Sequence, residues 1–231
     1  MKIDILTLFP KMFQGPFGES IVKRAQEKEL VKVQIHNLRD WAIDKRGTVD
    51  DRPYGGGAGM ILMIQPIYDA IESLKSKIKS SKSKIILLTP RGKTFNQKKA
   101  QELSQLDEII LICGHYEGFD ERIRNFVDEE ISIGNFVLTG GEIPAMAITD
   151  TIVRLLPGVL KKEEANQVES FSPGLTKLAG SSFKSQALIE YPQYTRPEEF
   201  HGLKAPEVLL SGNHQKILEW KRKHIKNKKA E

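Results

Sequence analysis

The sequence predicts an α/β domain built on a largely parallel sheet over about residues 1–160, followed by a smaller, mostly helical module. Three observations carry this. Short apolar runs alternate with helix-patterned segments along residues 1–160, the pattern of strands joined by crossover helices. Two of those runs are closed by glycine clusters, as expected where ligands sit outside the carboxyl ends of strands. The composition then changes after Pro157, where Ser, Gly and Lys accumulate and periodicity fades.

Residues 2–9 read as a strand ended by Pro10, residues 20–28 as a helix, and residues 32–37 as an alternating strand. Residues 39–59 are first charged and then glycine-rich, and read as a long functional loop. Residues 66–74 form an amphipathic helix, and the Lys/Ser-rich residues 75–84 a helix end with an exposed connection. Residues 85–88 and 108–112 are buried strands, the first closed by Thr89, Pro90, Arg91 and Gly92. Residues 96–106 and 121–126 are helical, and residues 145–156 form a strong helix with Pro144 at its start. The run 131–144, tight and apolar with Gly140, Gly141 and Pro144 at its end, fits neither a regular helix nor a simple strand. It reads as backbone drawn around something flat. Residues 161–190 read as a flexible linker or lid, and residues 191–231 as a small helical tail module ending in a basic run after Trp220.

The chain has 231 residues, one cysteine and a formal charge of +5. That length supports one large domain, or a domain with an appendage, and an ample core. A lone Cys113 excludes an intramolecular disulfide and any multi-cysteine metal site; placed after an apolar run, it reads as a buried structural thiol. Five scattered histidines offer no paired ligand spacing, so no metal site is expected from spacing. No apolar run approaches the ~18 residues needed to span a bilayer, so a cytoplasmic protein without membrane association is expected.

Three glycine clusters carry the functional reading: Tyr54-Gly-Gly-Gly-Ala-Gly-Met60, Cys113-Gly-His-Tyr-Glu-Gly118 and the 131–144 run. Glycine lets the main chain approach a ligand closely and adopt positive φ. Gly59 is followed by Met60 and Ile61, which excludes a Walker phosphate loop, since that needs Gly-Lys-Ser/Thr. The first cluster also fails the dinucleotide fingerprint, because no strand leads into it.

These stretches, with Leu6-Thr-Leu-Phe-Pro10, the Thr48–Met60 segment, residues 128–144, Arg154-Leu-Leu-Pro-Gly-Val159, Tyr194-Thr-Arg-Pro197 and Leu210-Ser-Gly-Asn-His214, resemble the bacterial tRNA (guanine-N1)-methyltransferases of the SPOUT superfamily. The matching segments follow the family's order along most of the chain. The resemblance implies a SPOUT-type sheet with a deep trefoil knot, a homodimer with each active site at the subunit interface, and methylation of N1 of guanosine 37 beside the tRNA anticodon. It implies S-adenosylmethionine bent in the knot. Its contacts would come from Leu88, Thr89 and Pro90, from Gly114, Tyr116, Glu117 and Gly118, and from Ile133, Gly134, Asn135, Phe136, Val137, Leu138, Gly140, Gly141 and Pro144. Asp50, Tyr54, Gly55, Gly59, Ser170 and Arg196 would border the target base or the anticodon stem-loop.

Guanine N1 carries a proton at neutral pH, and its loss puts charge on O6. The reaction therefore needs a base near N1 and a cation near O6. By resemblance Arg154 takes the second role, which suits a permanently charged planar fork. Glu169 stands where the family usually has aspartate, before Ser170 and Phe171, and is the expected base, with Glu117 supporting the guanine or a Mg²⁺ ion. The added methylene matters, because a ~1 Å misplacement can cost about a hundredfold in rate. Phe136 stands where relatives have tyrosine, Gln193 where they often have histidine, and the tail module is expected to be smaller than theirs. Two other readings stay open at this point: a catalytically weak RNA-binding relative, and an enzyme of the same fold acting at another RNA position.

Overall fold

The first strand presents two apolar sides in alternation, and this decides the architecture, because successive side chains on a strand point to opposite faces. The computed structural model describes residues 1–161, 166, 168–180 and 188–228. The chain divides into two compact units, Met1–Leu160 and Lys161–Glu231.

The first unit contains, in chain order, β1 (Lys2–Thr7), α1 (Gln14–Phe17), α2 (Ser20–Glu27), β2 (Lys32–Asn37), β3 (Asp50–Asp51), β4 (Ile61–Leu62), α3 (Ile64–Lys75), β5 (Ser83–Thr94), α4 (Gln97–Leu103), β6 (Glu108–Cys113), β7 (Glu129–Ser132) and α5 (Glu142–Val153). The main sheet has the order β2-β1-β6-β5-β7, and every neighbouring pair is parallel. Ile3, Ile5, Ile109, Leu111, Ile86 and Leu88 share one buried cluster with Val22 and Ala25 of α2 and with Ala145, Ile148 and Ile152 of α5. Leu6, Ile110, Ile112, Ile85 and Leu87 pack in the other, under Ile67, Ala70, Ile71 and Leu74 of α3. Helices cover both faces, which explains why the central strands read as continuous apolar runs. Each fully buried aliphatic side chain contributes roughly 1.5–3 kcal/mol relative to exposure.

The sheet corrects three expectations. Residues 129–132 form an edge strand that the sequence hides behind two glutamates. Both are neutralised: Glu129 by Lys84 at 3.1 Å and Lys99 at 2.8 Å, Glu130 by Arg124 at 2.9 Å. The strand at residues 85–88 does not end at Thr89 but runs from Ser83 to Thr94. The helix expected at residues 145–156 starts at Glu142, so Pro144 is its third residue. That position costs no hydrogen bond, since the first four helical N–H groups have no intrahelical acceptor.

In the second unit are α6 (Pro173–Ala179), β8 (Leu188–Ile189), β9 (Glu199–Phe200), β10 (Leu203–Lys204), α7 (Glu207–Leu210), α8 (His214–His224) and β11 (Lys226–Asn227). Within the residues expected to form a flexible linker or lid lies α6, where Ser172 Oγ accepts from the Leu175 N–H at 3.1 Å and caps the helix. Leu175, Leu188 and Ile225 form its small core. The short pairs β9–β10 and β8–β11 add sheet to a module expected to be helical. Residues 162–165, 167 and 181–187 of the expected linker, and 229–231 of the basic run, lie outside the described residues. Among the described residues no helix is long and apolar enough to cross a membrane.

One buried charge cluster lies on β1. Asp4 is fully buried; its carboxylate lies 2.7 Å from His36 Nε2 and 2.7 Å from Lys2 Nζ. Burial pushes its pKa up, but the hydrogen bonds from His36 and Lys2 outweigh that and hold it below the usual value. A carboxyl whose folded pKa is depressed contributes stability above its unfolded pKa, about 3.9, and loses it as pH falls through the folded value. Asp4→Asn should therefore lower the urea-unfolding free energy at pH 7 by about 1–3 kcal/mol. The difference from wild type should shrink in titrations below about pH 4.

Candidate active site

The ladder between β5 and β7 is broken in one place. Ile131 is the partner of Leu88 and again of Lys93, so residues 89–92 are extruded from the sheet. Gly92 permits this, because a Cβ there would collide with the backbone N of Ile131. The extruded Thr89, Pro90 and Arg91 become one wall of a cleft of about 340 Å³ at the carboxyl end of the sheet, within the size range of small-molecule sites.

The second wall is the loop after β6. Gly114 admits the Phe119 ring, which would lie 2.8 Å from any Cβ placed there. Tyr116 takes φ +57°, a left-handed conformation uncommon for a bulky residue. Its neighbour Glu117 donates its backbone N–H to Met60 O at 3.0 Å. Gly59 has φ +86°, and a Cβ there would lie 2.5 Å from Glu117 Cγ. The first glycine cluster thus packs against the side chain of the second.

The third wall is the return from β7 to α5. Ser132 Oγ accepts from the Gly134 N–H at 3.2 Å and donates to Gly134 O at 3.0 Å, which fixes the exit. Gly134, at φ +154°, sits against the Phe136 ring. The chain then crosses the end of β6. The Gly141 N–H donates to Gly114 O at 2.8 Å, and His115 bridges Gly140. A Cβ on Gly141 would lie 2.7 Å from both Cys113 Cα and Gly114 N, so no side chain fits. Here two backbone segments distant in sequence lie in direct contact, where the resemblance places the knot.

The structure brings together Leu88, Thr89, Pro90, Gly114, Tyr116, Glu117, Gly118, Ile133, Gly134, Phe136, Val137, Leu138, Gly140, Gly141 and Pro144 around this cleft. Of the positions the sequence assigned to the methyl donor, only Asn135 does not line it. The remaining positions of the first unit do not line it. Asp50 pairs with Leu62 in the β3–β4 ribbon. Tyr54 is 99 % exposed, and Gly55 follows it at φ +86°. Arg154 caps the far end of α5, whose 12 residues put it about 18 Å along the axis from Glu142. In the second unit, Glu169 O accepts from the Ser172 N–H at 3.0 Å, Ser170 Oγ accepts from the Glu190 N–H at 3.1 Å, and Arg196 is exposed.

The sequence reading missed a rim of charge. Arg91 and Arg124 both reach Glu121, at 3.0 and 2.7 Å, and all three line the cleft with Asp120. Its signal was present in the acidic and basic residues just after the second glycine cluster. Arg122 holds the Asp120 carboxyl below its usual pKa through a 2.6 Å hydrogen bond. Among the described residues no group of three His, Cys, Asp or Glu could hold a metal ion.

Burial, with the Glu142 carboxylate adding to it, pushes the Cys113 thiol well above its usual pKa. Thiolate is the reactive form. Iodoacetamide at pH 8 should leave Cys113 unmodified in the native protein and alkylate it in denaturant, as read by intact mass. Gly141→Ala should lower the unfolding free energy by about 1–3 kcal/mol, because the backbones of residues 113–114 cannot yield. Denaturant titration checks this.

The model of the family described as tRNA (Guanine-1)-methyltransferase TrmD matches residues 1–231. A tRNA (guanine-N(1)-)-methyltransferase of Citrifermentans bemidjiense is 56% identical over 224 residues, covering 96% of this chain and 84% of the relative. The protein of the same description from Bacillus subtilis (strain 168) is 55% identical over 224 residues, covering 96% and 86%. The crystal structure of the tRNA (m1G37) methyltransferase from Aquifex aeolicus superposes with a TM-score of 0.76 at 39% identity, covering 97% of this chain and 88% of that one. The parallel sheet and its glycine-lined cleft are therefore those of a SPOUT-type fold, and the chain belongs to the tRNA (guanine-1)-methyltransferase family.

Proposed function

We propose that this protein transfers a methyl group from S-adenosylmethionine to N1 of guanosine 37 in tRNA. Membership of a tRNA (guanine-1)-methyltransferase family supports the reaction and the base. The position rests on the described activity of the Aquifex relative. The observation that carries the cofactor reading is the cleft itself, whose walls are lined by the bare backbone of Gly114, Gly134, Gly140 and Gly141. Such a slot takes a flat heterocycle against backbone groups, which suits adenine. When bound, S-adenosylmethionine supplies an electrophilic methyl on its sulfonium.

The roles of the chain's own residues follow from the chemistry. Glu169 takes the N1 proton of guanine, and Arg154 balances the charge that develops on O6. Glu117, on the wall beside Gly59, orients the guanine. Within one chain Arg154 lies at the opposite end of α5 from the cleft. That separation supports a homodimer in which the partner copy brings Arg154 to the donor site. Exposed apolar side chains at Phe136, Val137 and Ile143 beside the cleft fit the same reading.

The tRNA itself is proposed to meet the second unit. Helix α8 ends in Lys221, Arg222, Lys223 and His224, and His224 stacks on Trp220 at 4.0 Å. Cations for phosphates beside flat rings for unstacked bases suit a single-stranded loop.

The test is transfer of labelled methyl from S-adenosylmethionine to tRNA transcripts carrying guanosine or adenosine at position 37. Labelling should require guanosine, and Glu169→Ala should lower it by about 10²-fold or more. Equal labelling of both transcripts would place the target elsewhere. RNA binding without labelling would indicate a relative that retains recognition alone.

A further inference from the structure

Behind the cleft lies a set of buried polar groups that the methyl transfer does not use. Glu142, the first residue of α5, is 2 % exposed, and Thr7, the last residue of β1, is fully buried. Thr7 Oγ1 donates to Glu142 Oε1 at 2.7 Å and accepts from the Phe9 N–H at 2.9 Å. The hydroxyl is thus satisfied on both sides and fixes the carboxylate. The other carboxylate oxygen, Oε2, reaches Gly140: a Cβ there would collide with it and would lie 2.7 Å from His115 Nδ1. Two polar atoms from different elements therefore converge on one bare Cα in the cleft wall.

His115 Nδ1 is buried, with no hydrogen-bond partner among the described residues. An unsatisfied buried polar group costs about 1–3 kcal/mol, so it persists only where something gains from it. The ring is clamped: Phe9 packs on it at 4.7 Å between centroids, and Tyr116 meets its edge at 4.8 Å. Beside the imidazole stand the Phe9 and Tyr116 rings, and its Nδ1 shares the space at Gly140 with Glu142 Oε2. Glu142 also acts on Cys113, whose thiol it helps to push up.

We propose that Glu142 is a positioning residue for the methyl-donor cleft. Its carboxylate, anchored by Thr7 and favoured at a helix N-terminus, holds the 139–141 turn against His115 and so fixes the cleft wall that Gly140 and Gly114 form together. Glu142 touches neither donor nor guanine; it acts through Gly140 and His115. The proposal rests on the reading of the cleft as the S-adenosylmethionine site.

Glu142→Gln keeps the shape and removes the charge. Calorimetric titration should show S-adenosylmethionine bound about tenfold more weakly. Turnover should show a matching rise in KM, with kcat falling less than twofold. A second readout separates positioning from general loosening. Thr7→Val, which removes the hydroxyl, should weaken binding in the same direction, and Thr7→Ser should restore it. Should Glu142→Gln fail to fold, the Thr7 pair carries the same test. Unchanged affinity in folded Glu142→Gln, or Thr7→Val and Thr7→Ser behaving alike, would overturn the proposal. Failure of the native protein to bind S-adenosylmethionine would instead bring down the cofactor reading on which it rests.

Discussion

The site depends on one close approach, that of the Gly141 backbone to the Gly114 backbone across the end of β6. The 2.8 Å hydrogen bond from the Gly141 N–H to Gly114 O is possible only because Gly141 carries no Cβ, which would lie 2.7 Å from Cys113 Cα and Gly114 N. That contact draws the return from β7 over the sheet and sets two glycine walls face to face. It also starts α5 at the cleft, placing Glu142 in the interior beside Thr7.

Around this contact the protein spends its polar groups in two ways. Inside, Thr7 and Glu142 satisfy one another, and Asp4 is held by Lys2 and His36. Buried carboxylates survive folding only when such partners replace water. At the surface, Glu121 links Arg91 in the extruded segment to Arg124 after the second glycine loop. Those side chains are largely exposed, so each pair is worth little alone, and their effect is to tie two walls of the cleft together.

The central strands were legible because helices cover both faces and burial demands unbroken apolar runs, as in residues 108–112. β7 was hidden because Glu129 and Glu130 are answered by Lys84, Lys99 and Arg124, residues 15 or more positions away in two of the three cases. The extrusion after Leu88 was read as the end of a strand, since sequence cannot show that Lys93 rejoins the same partner. At the site, glycines announced the walls because their reason is local and steric. The pairing of Thr7 with Glu142 joins positions 135 residues apart, and no local pattern marks it. The roles assigned to Arg154 and Glu169 came from resemblance alone, since neither stands beside a glycine wall nor has a spacing that implies catalysis.

A crystal structure of the protein with S-adenosylhomocysteine would show whether the crossing of residues 133–141 over the end of β6 forms the methyl-donor site. The adenine should lie against Pro90, Gly114 and Gly140, with its polar edge on backbone groups. Nucleoside density away from these residues, with residues 133–141 free of contact to it, would place the donor elsewhere.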